Sequence, residues 1–143
     1  KKRAGTENLP AIIGMVTALK EDLEHQKENY QQVQNLQQIF LENIAGTDFY
    51  LNQGENQLPY VLNIGFPGQK NDLLLLRLDL EGISISTGSA CTAGIVQTSH
   101  VLKAFYGADS HRLQESIRIS LSPQNTEEEM ITLATTLKDI IGG

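Results

Sequence analysis

Apolar side chains recur at helical spacing over the first third of the chain. Between residues 8 and 44 the intervals are three or four residues, or sums of these, at Ile12, Val16, Leu19, Leu23, Tyr30, Val33, Phe40 and Ile44. This spacing puts the apolar side chains on one face of an α-helix. Pro10 suits a first helical turn, and Ala45-Gly46 ends the run. Because the polar stretch 25–29 interrupts the apolar face, the pattern predicts a bend or two helices; a coiled coil is the alternative, but the heptad is brief.

Shorter elements are predicted in the middle of the chain. An extended piece over 48–51 precedes a strand over 60–66, which Pro67-Gly68 closes. A helix over 73–80 follows, with Asn71 or Asp72 as its N-cap and Gly82 as its end. Its four consecutive leucines predict burial on more than one side of the helix.

The last third of the chain alternates short strands with helices. Residues 83–85 are predicted as a brief strand, and residues 99–106 as a helix that Ser99 opens and Gly107 ends. Ile117, Ile119 and Leu121 alternate with polar residues, which is the period of a half-buried strand. Thr126 and Glu129 form a capping box for a final helix that runs to about residue 141.

Few short strands mixed with helices indicate an α+β fold. We expect a short, mainly antiparallel sheet, helices packed on one of its sides, and a long, bent N-terminal helical region. A chain of 143 residues fits a single domain with a real core.

Composition excludes several classes of function. Net charge is −6 and the eleven Lys and Arg are scattered, so no nucleic-acid surface is expected. The longest apolar run, 73–76, is too short for a membrane span, and no secretion signal opens the chain. A single cysteine allows no internal disulfide, which fits a cytoplasmic protein. The first residue is Lys1 rather than Met, which suggests a piece of a longer protein.

The single cysteine, Cys91, lies in the stretch STGSACTAG among very small side chains. A thiolate needs reach to act as a nucleophile, and such a loop gives reach. We expect the residues around Cys91 to be mobile. From residue type alone, an incidental surface cysteine is somewhat favoured over a nucleophile. The three histidines share no metal-ligand spacing with Cys91, so no metal site is predicted.

Five motifs, which follow one another in a fixed order along the chain, favour the nucleophile instead. They are Arg3-Ala-Gly-Thr6, Asn63-Ile-Gly-Phe66, Ser86-Thr-Gly-Ser-Ala-Cys91, Ser99-His-Val-Leu102 and Ile117-Arg-Ile-Ser-Leu121. In this order they resemble the C-terminal part of cysteine desulfurases, in the class-V aminotransferase family. The likeness spans nearly the whole chain. One departure is Ser122-Pro123, where family members usually have Gly-Arg.

The resemblance implies an activity and a role for three residues. Pyridoxal 5′-phosphate would hold L-cysteine, and Cys91 would take its sulfur as a persulfide, leaving L-alanine. The persulfide would pass to a protein sulfur acceptor, in iron–sulfur cluster assembly or tRNA thiolation. Arg118 would hold the substrate carboxylate, and Thr6 would contact the cofactor phosphate of the partner subunit in a homodimer. Without the resemblance, Arg118 is a solvated strand residue and Thr6 a helix cap or turn residue.

The resemblance also implies what this chain does not hold. The family's Schiff-base lysine directly follows a histidine, and none of the seven lysines here does so. Residues 1–143 therefore correspond to the small C-terminal domain, without the large cofactor-binding domain, and are expected to be inactive alone. Two alternatives remain: a domain of another class-V enzyme, such as a selenocysteine lyase or an aminotransferase, or a non-enzymatic sulfur-carrier or scaffold module.

Overall fold

The computed structural model of the chain describes residues 5–54, 56–88 and 99–143. Five helices and three strands are interspersed along these residues, and the predicted α+β class is confirmed. The elements are α1 (Leu9–Ile44), β1 (Tyr50–Leu51), β2 (Val61–Gly65), α2 (Asn71–Leu80), α3 (His100–Tyr106), α4 (Arg112–Glu115), β3 (Ser116–Ser120) and α5 (Glu127–Gly142).

The three strands form one antiparallel sheet in the order β1-β2-β3. Asn63 of β2 lies opposite Arg118 of β3, and Ile64 lies opposite Ile117. On the free side of β3, Ser86 forms an isolated antiparallel bridge with Arg118. The strand predicted over 83–85 is thus wrong, because none of these three residues pairs with the sheet and the single bridge falls on the next residue, Ser86.

The two faces of the sheet have opposite character. The face carrying Leu62, Ile64, Ile117 and Ile119 is buried in the main core. The other face carries Asn63 and Arg118, which are only partly buried. Side chains alternate between faces along a strand, so the period seen in the sequence divides β2 and β3 into core positions and exposed polar positions.

Helices α1, α2 and α5 complete the core on the apolar face of the sheet. The C-terminal half of α1 contributes Val33, Leu36, Phe40 and Ile44, and α2 contributes Leu74 and Leu78. From α5 come Met130, Leu133, Ala134, Leu137 and Ile140. These three helices therefore cover the apolar side of the sheet, as predicted.

Helix α1 is a single element of 36 residues, so the alternative of two helices is wrong. The polar stretch 25–29 consists largely of Gln, Lys and Glu, which favour helix even where nothing covers them. The break in the apolar pattern marks the end of burial rather than the end of the helix. Its N-terminal half leaves seven large apolar side chains exposed: Leu9, Ile12, Ile13, Met15, Val16, Leu19 and Leu23. The bend stays a prediction.

Two predictions about α2 are wrong. Its N-cap is Lys70, which makes no side-chain cap, while the Asn71 amide donates to the carbonyls of Leu113 and Ser116 instead. The leucine run is buried on one side only. Leu74 and Leu78 are buried, while three other leucines of this helix are more than half exposed: Leu73, Leu76 and Leu80.

The caps predicted for α3 and α5 are confirmed. Ser99 Oγ accepts a hydrogen bond from the Leu102 N–H at 3.3 Å, and α3 ends at Gly107, whose φ is 86°. At α5, Thr126 Oγ1 accepts from Glu129 N at 3.2 Å, and the Glu129 carboxylate accepts from Thr126 N at 3.0 Å. The bond from the Thr126 N–H holds the pKa of Glu129 below its ordinary value.

Among the helices of the described residues, none has both the length and the apolar character required to cross a membrane.

Candidate active site

A cavity of about 360 Å³ lies on the polar face of the sheet. Its floor includes Asn63 and Arg118, and residues 52–54, which follow β1, line it as well. Helix α3 closes another side with apolar and aromatic side chains: Val101, Leu102, Phe105 and Tyr106. A polar floor under apolar walls is the usual character of a small-molecule site.

A larger groove, of about 560 Å³, lies between residues 82–85 and the start of α5. Glu128 and Glu129 line it, and no Lys or Arg is among its described lining residues. A carboxylate ligand would meet like charge in this groove and opposite charge in the cavity over the sheet. The smaller cavity is therefore the candidate active site.

Arg118 supplies the positive charge of the cavity. Its Nε donates to Ser86 Oγ at 2.9 Å, which fixes the plane of the guanidinium. Within the described residues no Asp or Glu forms a salt bridge with Arg118, so no carboxylate there neutralises it. The terminal amino groups of a guanidinium can donate two parallel hydrogen bonds to a carboxylate. The position suits the carboxylate-binding role predicted for Arg118, which stays a prediction.

Two asparagines lie beside Arg118. Asn63 is its cross-strand neighbour, and Asn52, next after β1, donates from Nδ2 to Asn63 Oδ1 at 2.7 Å. The same Nδ2 donates to Ser116 Oγ at 2.9 Å. Neither asparagine is among the site residues predicted from the sequence. The alternation of β2 did contain a signal, because burial of Leu62 and Ile64 puts Asn63 on the same face as Arg118.

An arginine between two aromatic rings fixes α3 and α4 to the sheet. The Arg112 guanidinium carbon lies 4.3 Å from the Tyr50 ring centroid and 4.6 Å from that of Tyr106. Cations are attracted to the faces of aromatic rings at such distances. The stack therefore ties Tyr106, at the end of α3, to β1. Arg112 belongs to α4, a helix that is not among the elements predicted from the sequence.

Tyr50 is held in this stack from two further sides. Its hydroxyl donates to Glu115 Oε2 at 3.3 Å, and its ring lies against Gly65 so closely that a Cβ there would overlap it. The other carboxylate oxygen of Glu115 accepts from the Gly68 N–H at 2.9 Å. Burial, and secondarily the charge of Glu115, raises the pKa of the Tyr50 hydroxyl.

Cys91 lies outside the described residues, as does the rest of segment 89–98. Gly88 and Ser99, which flank that segment, both line the cavity. The catalytic role of Cys91 and the mobility of its loop therefore stay predictions.

Thr6 is exposed in the non-helical residues just before α1. The described residues offer its side chain no hydrogen bond, and Asn8, rather than Thr6, caps the helix by accepting from Ala11 N at 3.2 Å. The alternative of Thr6 as a helix cap is therefore wrong. Arg3 and Ala4, which belong to the same motif, lie outside the described residues. The cofactor contact proposed for Thr6 stays a prediction.

The described residues do not form a pyridoxal phosphate site of their own. Of those that line the cavity, none is a lysine that could form a Schiff base, and none is an Asp or Glu that could pair with the ring nitrogen. No cluster of metal-ligating side chains occurs among them either. The cavity has the groups to bind a carboxylate but lacks those that would hold the cofactor.

Comparison with known proteins gives consistent matches. The chain is 44% identical over 144 residues to the "Putative cysteine desulfurase IscS 1" of Bacillus subtilis strain 168, covering 99% of this chain and 38% of that protein. It is 35% identical over 143 residues to the cysteine desulfurase IscS of Dictyoglomus turgidum, covering 98% of this chain and 36% of that protein. The chain thus spans little more than a third of the length of the curated relatives it matches.

A solved structure has the same fold. The NifS-like protein from Rickettsia africae matches with a TM-score of 0.83 and 27% identity, over 99% of this chain and 37% of that one. The family model described as "Aminotransferase class-V" matches residues 1–133. The chain therefore belongs to the class-V aminotransferase family.

Proposed function

We propose that the chain is the C-terminal small domain of a cysteine desulfurase. The enzyme would convert L-cysteine to L-alanine and carry the sulfur as a persulfide on Cys91. The curated relatives named above bear that activity in their names, and the chain covers 36–38% of their length. The cofactor and the remaining catalytic groups would belong to the part of the enzyme outside this chain.

The observation that carries the proposal is the position of Arg118 relative to the cysteine segment. Arg118 lines the cavity, and so do Gly88 and Ser99, the residues on either side of segment 89–98. A substrate whose carboxylate is bound by Arg118 would therefore sit between the two ends of the segment that contains Cys91. Ten residues of mostly small side chains have ample length to bring a thiol to such a substrate.

The step assigned to this chain is a transfer of sulfur. The Cys91 thiolate forms a bond to the sulfur of L-cysteine, the substrate's carbon–sulfur bond breaks, and the carbon keeps the electron pair and gains a proton to complete L-alanine. Pyridoxal phosphate, when bound, supplies the electron sink for this chemistry. Arg118 would orient the substrate through its carboxylate, and the apolar side chains of α3 would exclude water from the reacting sulfur.

The proposed function also implies partners and a cellular location for the full-length enzyme. The persulfide would pass to a protein acceptor, in iron–sulfur cluster assembly or tRNA thiolation. The full-length enzyme would be a cytoplasmic homodimer in which Thr6 contacts the cofactor phosphate of the partner subunit. The exposure of Thr6 supports this, since a residue that contacts a group outside its own domain must be accessible.

The proposal is tested on the full-length enzyme with two variants. Cys91→Ser should bind cofactor normally but produce no alanine, because a hydroxyl is a poor nucleophile toward sulfur and cannot store a persulfide. Arg118→Ala should lose two charge-assisted hydrogen bonds, worth on the order of 3 kcal/mol, so KM should rise roughly a hundredfold. Steady-state alanine production and mass spectrometry of Cys91 after exposure to L-cysteine measure both effects.

Two results would refute the assignment. One is the absence of a persulfide mass shift on Cys91 in the wild-type enzyme. The other is near-normal turnover by Cys91→Ser. A normal KM in Arg118→Ala would remove the carboxylate-binding role and leave the sulfur-transfer role intact.

A further inference from the structure

We infer that Asn63 is a second residue that binds the substrate carboxylate, beside Arg118, and that Asn52 is the residue that positions its amide. This inference rests on the proposed function for the identity of the substrate. Three features of the polar face of the sheet support it: the pairing of Asn63 with Arg118, the orientation of the Asn52 amide, and the donor that this orientation leaves on Asn63.

The pairing of β2 with β3 brings the two side chains together. The backbone N–H and carbonyl of Arg118 bond to Ser86, with distances of 2.7 Å and 3.1 Å, and thus point away from β2. Asn63 and Arg118 are therefore a non-hydrogen-bonded pair, the kind in which opposite side chains approach most closely. Both side chains line the cavity.

A serine hydroxyl fixes the orientation of the Asn52 amide. Ser116 Oγ donates its single hydrogen to the carbonyl of Arg112 at 2.6 Å, so it can only accept from Asn52, 2.9 Å away. The Asn52 atom that faces Ser116 is therefore the nitrogen. Reversing the amide would put its oxygen against the Ser116 oxygen. This orientation holds although Asn52 Oδ1 is buried and has no partner among the described residues.

The Asn52 nitrogen in turn fixes Asn63. Its second hydrogen goes to Asn63 at 2.7 Å, so the Asn63 atom facing it must be the oxygen. The Asn63 nitrogen then points away from Asn52, and it has no hydrogen-bond acceptor within residues 5–54, 56–88 and 99–143. Asn63 thus presents an NH₂ donor in the cavity next to the guanidinium. A carboxylate has acceptor sites enough for both groups.

The test uses the full-length enzyme and two nearly isosteric variants. Asn63→Asp still accepts from Asn52 but replaces the free donor with an oxygen. Asn52→Asp leaves Asn63 unchanged but removes the donor that orients it, so the Asn63 nitrogen should turn toward the carboxylate introduced at position 52. Each variant should raise KM for L-cysteine by about tenfold or more, with kcat changed by no more than about twofold. Gln34→Glu is the matched control, since it makes the same amide-to-carboxylate change on the exposed surface of α1.

A second measurement separates carboxylate binding from a structural role. L-alanine and ethylamine differ only in the carboxylate, and titration gives the Kd of each for the enzyme. We expect Asn63→Asp to weaken L-alanine binding by about tenfold and to leave ethylamine binding unchanged. Equal weakening of both ligands, or a normal KM for L-cysteine in Asn63→Asp, would overturn the inference.

The outcomes also separate this inference from the proposed function. If the wild-type enzyme releases no alanine from L-cysteine, the proposed function fails, while the comparison of L-alanine with ethylamine still decides whether Asn63 binds a carboxylate. If the wild-type enzyme is active and only the Asn63→Asp result is contrary, this inference alone fails. The melting temperature shows whether Asn63→Asp folds. If it does not fold, the KM of Asn52→Asp for L-cysteine is the test, and a normal value would overturn the inference.

Discussion

Arg118 and Ser86 are joined by backbone and side chain alike. Arg118 N donates to the Ser86 carbonyl at 2.7 Å, Ser86 N donates to the Arg118 carbonyl at 3.1 Å, and Arg118 Nε donates to Ser86 Oγ at 2.9 Å. Ser86 lies two residues before Gly88, where the described chain reaches the cysteine segment. The guanidinium and the described residue Ser86 are therefore fixed to each other by three hydrogen bonds.

Ser86→Ala should weaken substrate binding without unfolding the site. Alanine keeps both backbone bonds but removes the acceptor of Arg118 Nε, and a hydrogen bond of this kind contributes about 1 kcal/mol or more. We expect KM for L-cysteine in the full-length enzyme to rise roughly fivefold. Ser84→Ala, at an exposed position two residues before Ser86, is the control. Equal KM values for the two variants would show that the Nε contact does not orient Arg118.

Gly65→Ala should destabilise the fold. A Cβ at residue 65 would overlap the Tyr50 ring, so the ring or the strand must move, and overpacking of this kind costs about 1–3 kcal/mol. Gly14→Ala should act in the opposite direction, because it lies inside α1 with nothing within 4 Å of its Cβ position. There the gain should be about 0.5–1 kcal/mol. Urea unfolding gives the free energy of unfolding of both variants. If Gly65→Ala raised it as Gly14→Ala does, the packing of Tyr50 on Gly65 would be contradicted.

Arg112→Met should loosen α3. Methionine keeps much of the apolar stem but removes the charge stacked between Tyr50 and Tyr106, a loss of about 1–2 kcal/mol. Hydrogen exchange of the backbone amides in α3 should accelerate more than exchange in α5. Lys103→Met, on the exposed side of α3, should leave exchange in α3 unchanged. If both variants accelerate exchange in α3 equally, the cation between the rings does not hold the helix.

The Glu129 carboxylate should make the stability of the chain sensitive to acid. Its pKa in the folded state lies below the ordinary value of 4.5, because Thr126 N–H binds the charged form. The stabilisation is thus fully present above pH 4.5 and is lost as the pH falls through the folded-state pKa. Between roughly pH 6 and pH 3, unfolding free energy should fall more steeply for wild type than for Glu129→Gln. Glu128 makes no capping bond, so the free energy of unfolding of Glu128→Gln should change with pH as that of wild type does.

The 143-residue chain alone should form no Schiff base with pyridoxal phosphate. The described cavity lining contains no lysine, and the seven lysines of the chain include none that follows a histidine. Borohydride reduction after incubation with the cofactor, followed by peptide mass spectrometry, should find no lysine modified preferentially. The chain should also release no alanine from L-cysteine. A single lysine labelled stoichiometrically would contradict the prediction.

Local patterns in the sequence were sufficient to predict most of the fold. The alternation of Ile117 and Ile119 predicted β3, and the Thr126–Glu129 box predicted the start of α5. Each of these signals depends on residues close together in the chain. The leucine run of α2 could not predict which side is buried, because burial depends on what covers a helix, and the described residues cover only the side that carries Leu74 and Leu78.

The candidate site could be predicted only in part. A motif identified Arg118, but the contributions of Asn52 and Arg112 depend on contacts between elements far apart in the sequence. Asn52 meets Ser116 across 64 residues, and Tyr50 meets Glu115 across 65. No spacing along the chain encodes such contacts. They follow from strand register, which is fixed only when the sheet has formed.

The alternation of side chains along β2 and β3 has a consequence for how such a domain can evolve. Leu62, Ile64, Ile117 and Ile119 supply the core, while Asn63 and Arg118, between them in the same strands, face the cavity. Replacing Asn63 or Arg118 therefore changes what the cavity recognises without disturbing the packing that keeps the strands folded. Mutational steps toward a new substrate are open at these cavity-facing positions, and the fold stays unchanged while the chemistry diverges.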